Sequence, residues 1–147
     1  MARKKNAVIM DFTRTISMVN TAYRQFIQNK FKEHNVNLTF EMLQVLSCLW
    51  NQDGINQQEI ANITVKDKAS MTYLIDNLVK RDLVYRLEDS NDRRNKLIHL
   101  TKQGIKTREK IQPFLDEMYK AAGKNIDNET LSQCMAVIAQ VEKNLKA

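Results

Sequence analysis

The sequence predicts a mainly α-helical protein with one small β-hairpin. The 147 residues include only three glycines and one proline, which argues against long loops and all-β architectures. Apolar residues recur at spacings of three and four over most of the chain, as they do on one face of a helix. Two short apolar runs, 83–87 and 97–100, instead flank a polar, charged segment and are typical of paired strands. We therefore expect a single domain over residues 1–147, with strands confined to this hairpin.

The first and last predicted helices each carry a narrow apolar seam. The first runs from Ala7 to Glu33, roughly 40 Å at the usual helical rise, which is longer than a small core is wide. Its seam consists of Ile9, Phe12, Ile16, Val19, Tyr23 and Phe26. The last helix covers about 128–145, and its seam consists of Leu131, Cys134, Ile138, Val141 and Leu145. We predict that these seams form a homodimer interface, although packing within one bundle would also bury them.

Three further helices follow the first, and each has a residue suited to cap its N-terminus. Thr39 precedes a long apolar run, Asn56 opens a short helix over about 57–63, and Asp67 precedes a helix that continues through Arg81. Two closely coupled helices followed by a charged hairpin is the element order of a winged helix-turn-helix.

A long helix is expected after the hairpin. Thr101 is suited to cap it, and it should continue to Gly123 with a kink or break between Glu109 and Pro113. The predicted division is a winged helix-turn-helix DNA-binding lobe at 36–100 and a helical dimerisation lobe at 7–33 plus 101–147. The fold class is thus mainly α with a small β-wing and long N- and C-terminal dimerisation helices.

The helix that begins after Asp67 has two different faces. Apolar residues cluster on one side and should pack on the core: Met71, Leu74, Ile75 and Leu78. The opposite side is polar, as on a helix that reads DNA, but an ordinary solvated face would have the same pattern. Its position between the short helix and the charged hairpin favours DNA reading. Asp76 is unfavourable near phosphates, so we expect it to pair with Lys80 or with a basic residue elsewhere.

Composition excludes several other classes of protein. The net charge is +6, and the positive excess lies in residues 1–33 (+5) and 56–110 (+4), which favours nucleic acid as a partner.

Cys48 and Cys134 lack metal-ligand spacing with each other or with the two histidines, and we interpret them as buried, reduced thiols. No catalytic constellation is evident, so the chain is not predicted to be an enzyme or to need a metal or cofactor. No run approaches the roughly 18 to 20 apolar residues of a membrane span, and a cytoplasmic protein without a membrane partner is expected.

At five places the sequence resembles the MarR family of bacterial transcription regulators. The matching segments are Leu38-Thr39, Gln58-Glu59-Ile60-Ala61, Leu83-Val84-Tyr85-Arg86, Asp92-Arg93-Arg94 and Leu100–Gly104. They cover about Val36 to Gly104 and are specific only when taken together and in this order. The resemblance implies a homodimer that binds a pseudo-palindromic operator in double-stranded DNA, usually as a ligand-responsive repressor.

The resemblance also implies which residues contact DNA. Residues matching Lys68, Ser70, Thr72 and Tyr73 face the major groove in this family, and the helical projection adds Ala69, Asn77 and Lys80. At the wing tip the DNA-binding residues are Asp92, Arg93 and Arg94, with Arg94 oriented by Asp92. Many members release DNA when a phenolic or other small ligand fills a crevice between lobes. The expected pocket residues here are Tyr23, Met42, Trp50 and Met118.

The chain departs from the family pattern at three points. Tyr73 and Asn77 stand where arginine is common, so base preference should differ. Asp82 stands where glycine is usual before the wing, and the first helix has no cysteine, so peroxide sensing is not implied. The alternative function is a non-enzymatic winged-helix module that uses the same face to contact another protein.

Overall fold

The computed structural model describes residues 3–147, and it confirms a mainly α-helical fold with a small β-wing. The elements follow one another as α1 Lys5–Glu33, α2 Phe40–Asn51, β1 Ile55–Asn56, α3 Gln57–Thr64, α4 Lys68–Lys80, β2 Val84–Glu88, β3 Lys96–Leu100, α5 Lys102–Ala122 and α6 Asn128–Lys146. Helices α3 and α4 form the helix-turn-helix, and β2 with β3 forms the wing. We refer to α2, α3, α4 and the sheet as the winged lobe, and to α1, α5 and α6 as the helical lobe.

The predicted helix starts are confirmed by their capping hydrogen bonds. Thr39, Asn56, Asp67 and Thr101 each accept a bond from the main-chain N–H three residues on, at 2.7–3.1 Å. Each cap satisfies one of the N–H groups that a helix leaves without a partner in its first turn. Local side-chain chemistry therefore sets where α2, α3, α4 and α5 begin.

The sheet has a third strand that the sequence did not indicate. Strand β1 pairs antiparallel with β3, Ile55 opposite Ile98, and the strand order is β1-β3-β2. A two-residue strand is too short to produce an alternating pattern, so only its pairing reveals it. The pairing attaches the wing to the loop that follows α2.

Helix α5 is continuous from Lys102 to Ala122, so the kink or break predicted between Glu109 and Pro113 does not take the form of a break. Pro113 and Glu109 are both exposed, so the Glu109 carbonyl that loses its helical partner can be hydrated instead. Ile111 and Leu115 on the opposite side are buried and keep both halves of the helix on the same core.

Two apolar clusters make up the core, and α2 contributes to both. The cluster of the winged lobe includes Met42, Val45, Leu46 and Leu49 of α2 together with buried residues of α3, α4 and the sheet. The cluster of the helical lobe includes Phe40 and Leu43 of α2 together with Ile27, Phe31, Ile111, Leu115 and Met118. Helix α2 is thus the shared wall between the two lobes.

The wing joins α5 through a close contact between Asp82, Leu83 and the N-terminus of α5. The Thr101 hydroxyl donates to the Asp82 carbonyl at 2.6 Å, and a Cβ on Gly104 would lie 2.1 Å from the Leu83 carbonyl oxygen. Asp82 has φ +57°, so it adopts the left-handed conformation that a glycine would adopt there, and that Asp tolerates better than most residues. The turn therefore closes in spite of the substitution.

Helix α6 has no buried residue along its 19 residues. Cys134 is exposed, and its predicted burial is wrong for the isolated chain. Cys48 is partly buried, and burial raises the pKa of its thiol. Within residues 3–147, every helix is too short or too polar to cross a membrane.

Candidate nucleic-acid interface

Helix α4 presents the predicted recognition residues on its outer face. Met71, Leu74, Ile75 and Leu78 are buried as expected. The opposite side is exposed at Lys68, Ala69, Ser70, Thr72, Tyr73 and Lys80, and half-buried at Asn77. The Tyr73 side chain is 69% exposed, so its ring is accessible from solvent.

Hydrogen bonds hold the N-terminal turn of α4 in place. The main-chain N–H and the hydroxyl of Ser70 both donate to the Asp67 carboxylate, at 2.7 and 2.9 Å. These bonds hold the pKa of the Asp67 carboxyl below its usual range, so the cap stays ionised. The Gln57 amide of α3 donates to the Thr72 hydroxyl at 2.9 Å and joins the two helices of the helix-turn-helix.

Asp76 pairs with Arg86 on β2, and not with Lys80. The pair neutralises the one carboxylate in the middle of the outer face of α4 and ties α4 to the wing. Arg86 was missed as a functional residue. The alternation of side chains along β2 could have identified it, because Arg86 lies on the same side of the strand as the buried Val84. A charged residue at an inward position indicates that a partner is nearby.

The tip of the wing is ordered by its own side chains. Asp89 accepts hydrogen bonds from the Asn91 main chain at 3.0 Å and from the Asn95 amide at 3.1 Å. Asp92 accepts from the main-chain N–H of Arg94 at 3.0 Å. Among the described residues Asp92 and Arg94 form no ion pair. Asp92 therefore positions the backbone of Arg94 and leaves its guanidinium free.

A cleft of about 230 Å³ lies between α3, the start of α4 and the wing. Its lining brings Arg94 together with Lys68, Gln57 and Gln58. Asn95 and Lys96 also line it, and Lys96 is paired with Glu88. Two unpaired cations and three amides around one cleft suit an anionic oxygen, such as a backbone phosphate. Arg93 does not line this cleft.

On α4 and the wing, most carboxylates are hydrogen-bonded, whereas several cations have no ion-pair partner within residues 3–147. Five of the six carboxylates between the α4 cap and the end of the wing accept at least one hydrogen bond, namely Asp67, Asp76, Glu88, Asp89 and Asp92. The sixth is Asp82, in the turn between α4 and β2. Four exposed cations form no ion pair with any other part of residues 3–147, namely Lys68, Lys80, Arg93 and Arg94. The face is therefore electropositive, and its cations are available to a polyanion.

Only two of the four residues expected to line an effector pocket lie in the same cleft. Tyr23 and Met118 line a cleft of about 330 Å³ between the lobes, with Phe40 and Leu115. Met42 is instead buried in the core of the winged lobe. Trp50 lies at the far end of α2, where its indole N–H donates to the Gly104 carbonyl at 3.0 Å.

Gln44 also lines the cleft between the lobes and was not anticipated from the sequence. Its side-chain oxygen is buried and has no hydrogen-bond partner within residues 3–147. A buried acceptor of this kind is unfavourable unless a donor reaches it. Elsewhere in the described chain, no group of three or more His, Cys, Asp or Glu side chains is placed to hold a metal ion.

Comparison with known proteins agrees with this geometry. Residues 38–96 match the model of the MarR family. The chain is 28% identical over 129 residues to the HTH-type transcriptional regulator FarR of Neisseria gonorrhoeae, covering 84% of this chain and 88% of that protein. It superposes on Staphylococcus aureus MepR in its DNA-binding conformation with a TM-score of 0.81 and 27% identity, over 91% of this chain and 98% of that one. It also superposes on MepR in a MepR–DNA complex with a TM-score of 0.78 and 27% identity, over 90% and 97% of the two chains.

Proposed function

This chain belongs to the MarR family, and we propose that it is a transcription regulator that binds a specific DNA sequence as a homodimer. The observation that carries the proposal is the charge arrangement on α4 and the wing. Exposed Lys68, Lys80, Arg93 and Arg94 have no carboxylate partner in residues 3–147, whereas five of the six carboxylates around them accept hydrogen bonds. A regulator of transcription acts on DNA rather than on a substrate, and it works where the chromosome is, in the cytoplasm.

Two copies would read two half-sites of a pseudo-palindromic operator. Each α4 would enter a major groove, with the two grooves roughly 34 Å apart, and each wing would reach the neighbouring minor groove. Repression follows where the operator overlaps a promoter. A module that contacts other proteins is less well supported, because it gives no reason for cations to be left unpaired while five of the six carboxylates beside them are hydrogen-bonded.

Binding-site selection from random duplex DNA tests the proposal. We expect a pseudo-palindromic sequence to be enriched and to bind at least roughly 1,000-fold more tightly than unrelated DNA of equal length. With six to ten phosphate contacts, the affinity should fall roughly 10³- to 10⁵-fold between 50 and 200 mM salt. Equal affinity for all duplexes would leave only electrostatic attachment and would contradict sequence-specific regulation.

We further propose that a small phenolic effector occupies the cleft lined by Tyr23, Gln44 and Met118. The aromatic and methionine side chains suit a ring, and the unsatisfied Gln44 oxygen suits its hydroxyl donor. The ligand would release DNA if it binds more tightly to a dimer whose recognition helices are not spaced to fit the two half-sites, because it then increases the population of that state.

Gln44→Leu tests the effector site. It should raise the phenol concentration needed for half-maximal DNA release by about 5-fold, the value of one neutral hydrogen bond. A titration of protein–DNA complex with a panel of simple phenols measures this, and DNA affinity without phenol serves as the control. An unchanged response in the variant would place the effector elsewhere.

A further inference from the structure

One ion pair joins the two lobes. Arg24 of α1 pairs with Glu41 in the first turn of α2. Every other ion pair within residues 3–147 stays inside the helical lobe or inside the winged lobe. For example, Lys30 of α1 pairs with Glu117 of α5 at 2.9 Å, and both belong to the helical lobe.

The Arg24–Glu41 pair is partly buried and rests on an aromatic ring. The two side chains are 32% and 29% exposed, and the guanidinium carbon lies 4.9 Å from the centre of the Phe40 ring. Burial alone would raise the pKa of the Glu41 carboxyl. The hydrogen bond from Arg24, a main-chain hydrogen bond and the charges of Arg24 and Lys66 together outweigh burial, and this pKa lies below its usual range. The pair is therefore ionised at neutral pH.

Glu41 lies next to the recognition helix. It lines a surface hollow together with Lys66, Ser70 and Tyr73, which belong to the start of α4 and the turn before it. On its other side, Phe40 forms part of the cleft between the lobes. The N-terminal end of α2 thus stands between the cleft and the residues that would read DNA.

The two ends of α2 are attached to different helices of the helical lobe. At the C-terminal end, the Trp50 indole binds the Gly104 carbonyl of α5. At the N-terminal end, Glu41 binds Arg24 of α1, in addition to the packing of Phe40 and Leu43. Apolar packing permits small rotations that a directional ion pair opposes. The Arg24–Glu41 pair is therefore placed to oppose rotation of the winged lobe about α2.

We propose that Arg24 and Glu41 are positioning residues that fix how the winged lobe sits on the helical lobe. In a dimer joined through the helical lobes, they set the distance between the two recognition helices and hence the preferred half-site spacing. This inference rests on the proposed function. Neither residue needs to touch DNA. Substituting them should therefore change how well the protein discriminates between operators with different half-site spacings.

The test compares the selected operator with operators that have one base pair inserted or removed at the centre. For the wild type, the affinity ratio between the selected and altered spacings is the reference. Arg24→Gln and Glu41→Gln should each lower that ratio about 5-fold or more, the lower end of typical coupling between sites. The double variant Arg24→Glu with Glu41→Arg should recover most of it, because the pair is restored with its polarity reversed.

Lys30→Gln is the matched control, since it breaks an α1 ion pair that does not cross between the lobes. It should leave the spacing ratio unchanged, with circular dichroism confirming that all variants are folded. An unchanged ratio in folded Arg24→Gln and Glu41→Gln, or an equal loss in Lys30→Gln, would overturn the positioning role while leaving the DNA-binding function intact. Absence of sequence-specific binding by the wild type would overturn both.

Discussion

Arg94→Ala is expected to lower the affinity for the selected operator about 100-fold while leaving the protein folded. Arg94 is exposed, has no ion pair within the described chain, and shares a cleft with Lys68 beside the start of α4. Loss of one hydrogen bond to a charged group costs roughly 1.5–3 kcal/mol. A dimer loses two, and about 1.4 kcal/mol from each wing already gives 100-fold. Fluorescence anisotropy with labelled operator at fixed salt measures the change.

Arg93→Ala is the matched control for this prediction. Arg93 is the neighbouring residue, equally charged and also exposed, but it does not line the cleft between the helices and the wing. Its loss should weaken binding to all duplexes modestly, by an amount that shrinks as salt rises. Wild-type affinity in a folded Arg94→Ala dimer would remove the wing tip from the DNA interface. Equal losses in both variants would mean that only total charge matters there.

The elements that the sequence predicted well are those that depend on local chemistry. Caps such as Thr39 and Asp67 act within three residues, and the buried positions of α4 repeat with the helical period, so both are readable from the chain alone. Strand β1 and the unbroken α5 were not, because each depends on contacts with distant residues. β1 exists through its pairing with Ile98, and the continuous α5 buries Ile111 and Leu115 in one apolar cluster.

The features of the site that lie within a single helix or hairpin could be predicted from the sequence. The outer face of α4 and the charged wing tip follow from periodicity and composition. The Asp76–Arg86 pair and the Gln57–Thr72 bond link different elements, so sequence spacing does not specify them. The effector residues were the hardest, since α2 is buried on two sides. Met42 fits the apolar period equally well on either side, and it packs into the winged lobe.

Ile138→Glu is expected to convert the protein to a monomer and to lower operator affinity about 100-fold or more. Ile138 lies in the apolar seam of α6, a helix without a buried residue, and Ile16 and Val19 in the seam of α1 are also exposed. If these seams meet in a dimer, the substitution buries one unpaired carboxylate from each subunit. The free energy of dimerisation then becomes far less favourable than after a surface substitution. A monomer engages one half-site and loses the avidity of two linked ones, typically 10²- to 10⁴-fold. Light scattering coupled to size exclusion gives the mass, and anisotropy gives the affinity.

Leu87→Glu separates a specific interface from general surface hydrophobicity. Leu87 is 51% exposed on the wing, compared with 39% for Ile138, so a carboxylate at Leu87 removes at least as much exposed apolar surface. If exposed apolar residues associate nonspecifically, Leu87→Glu should lower the mass as much as Ile138→Glu does. If the seams of α1 and α6 form one symmetric contact, only Ile138→Glu should yield monomers. A dimeric Ile138→Glu variant would exclude this seam as the interface, and the recognition helices would then have to be spaced through some other surface of the helical lobe.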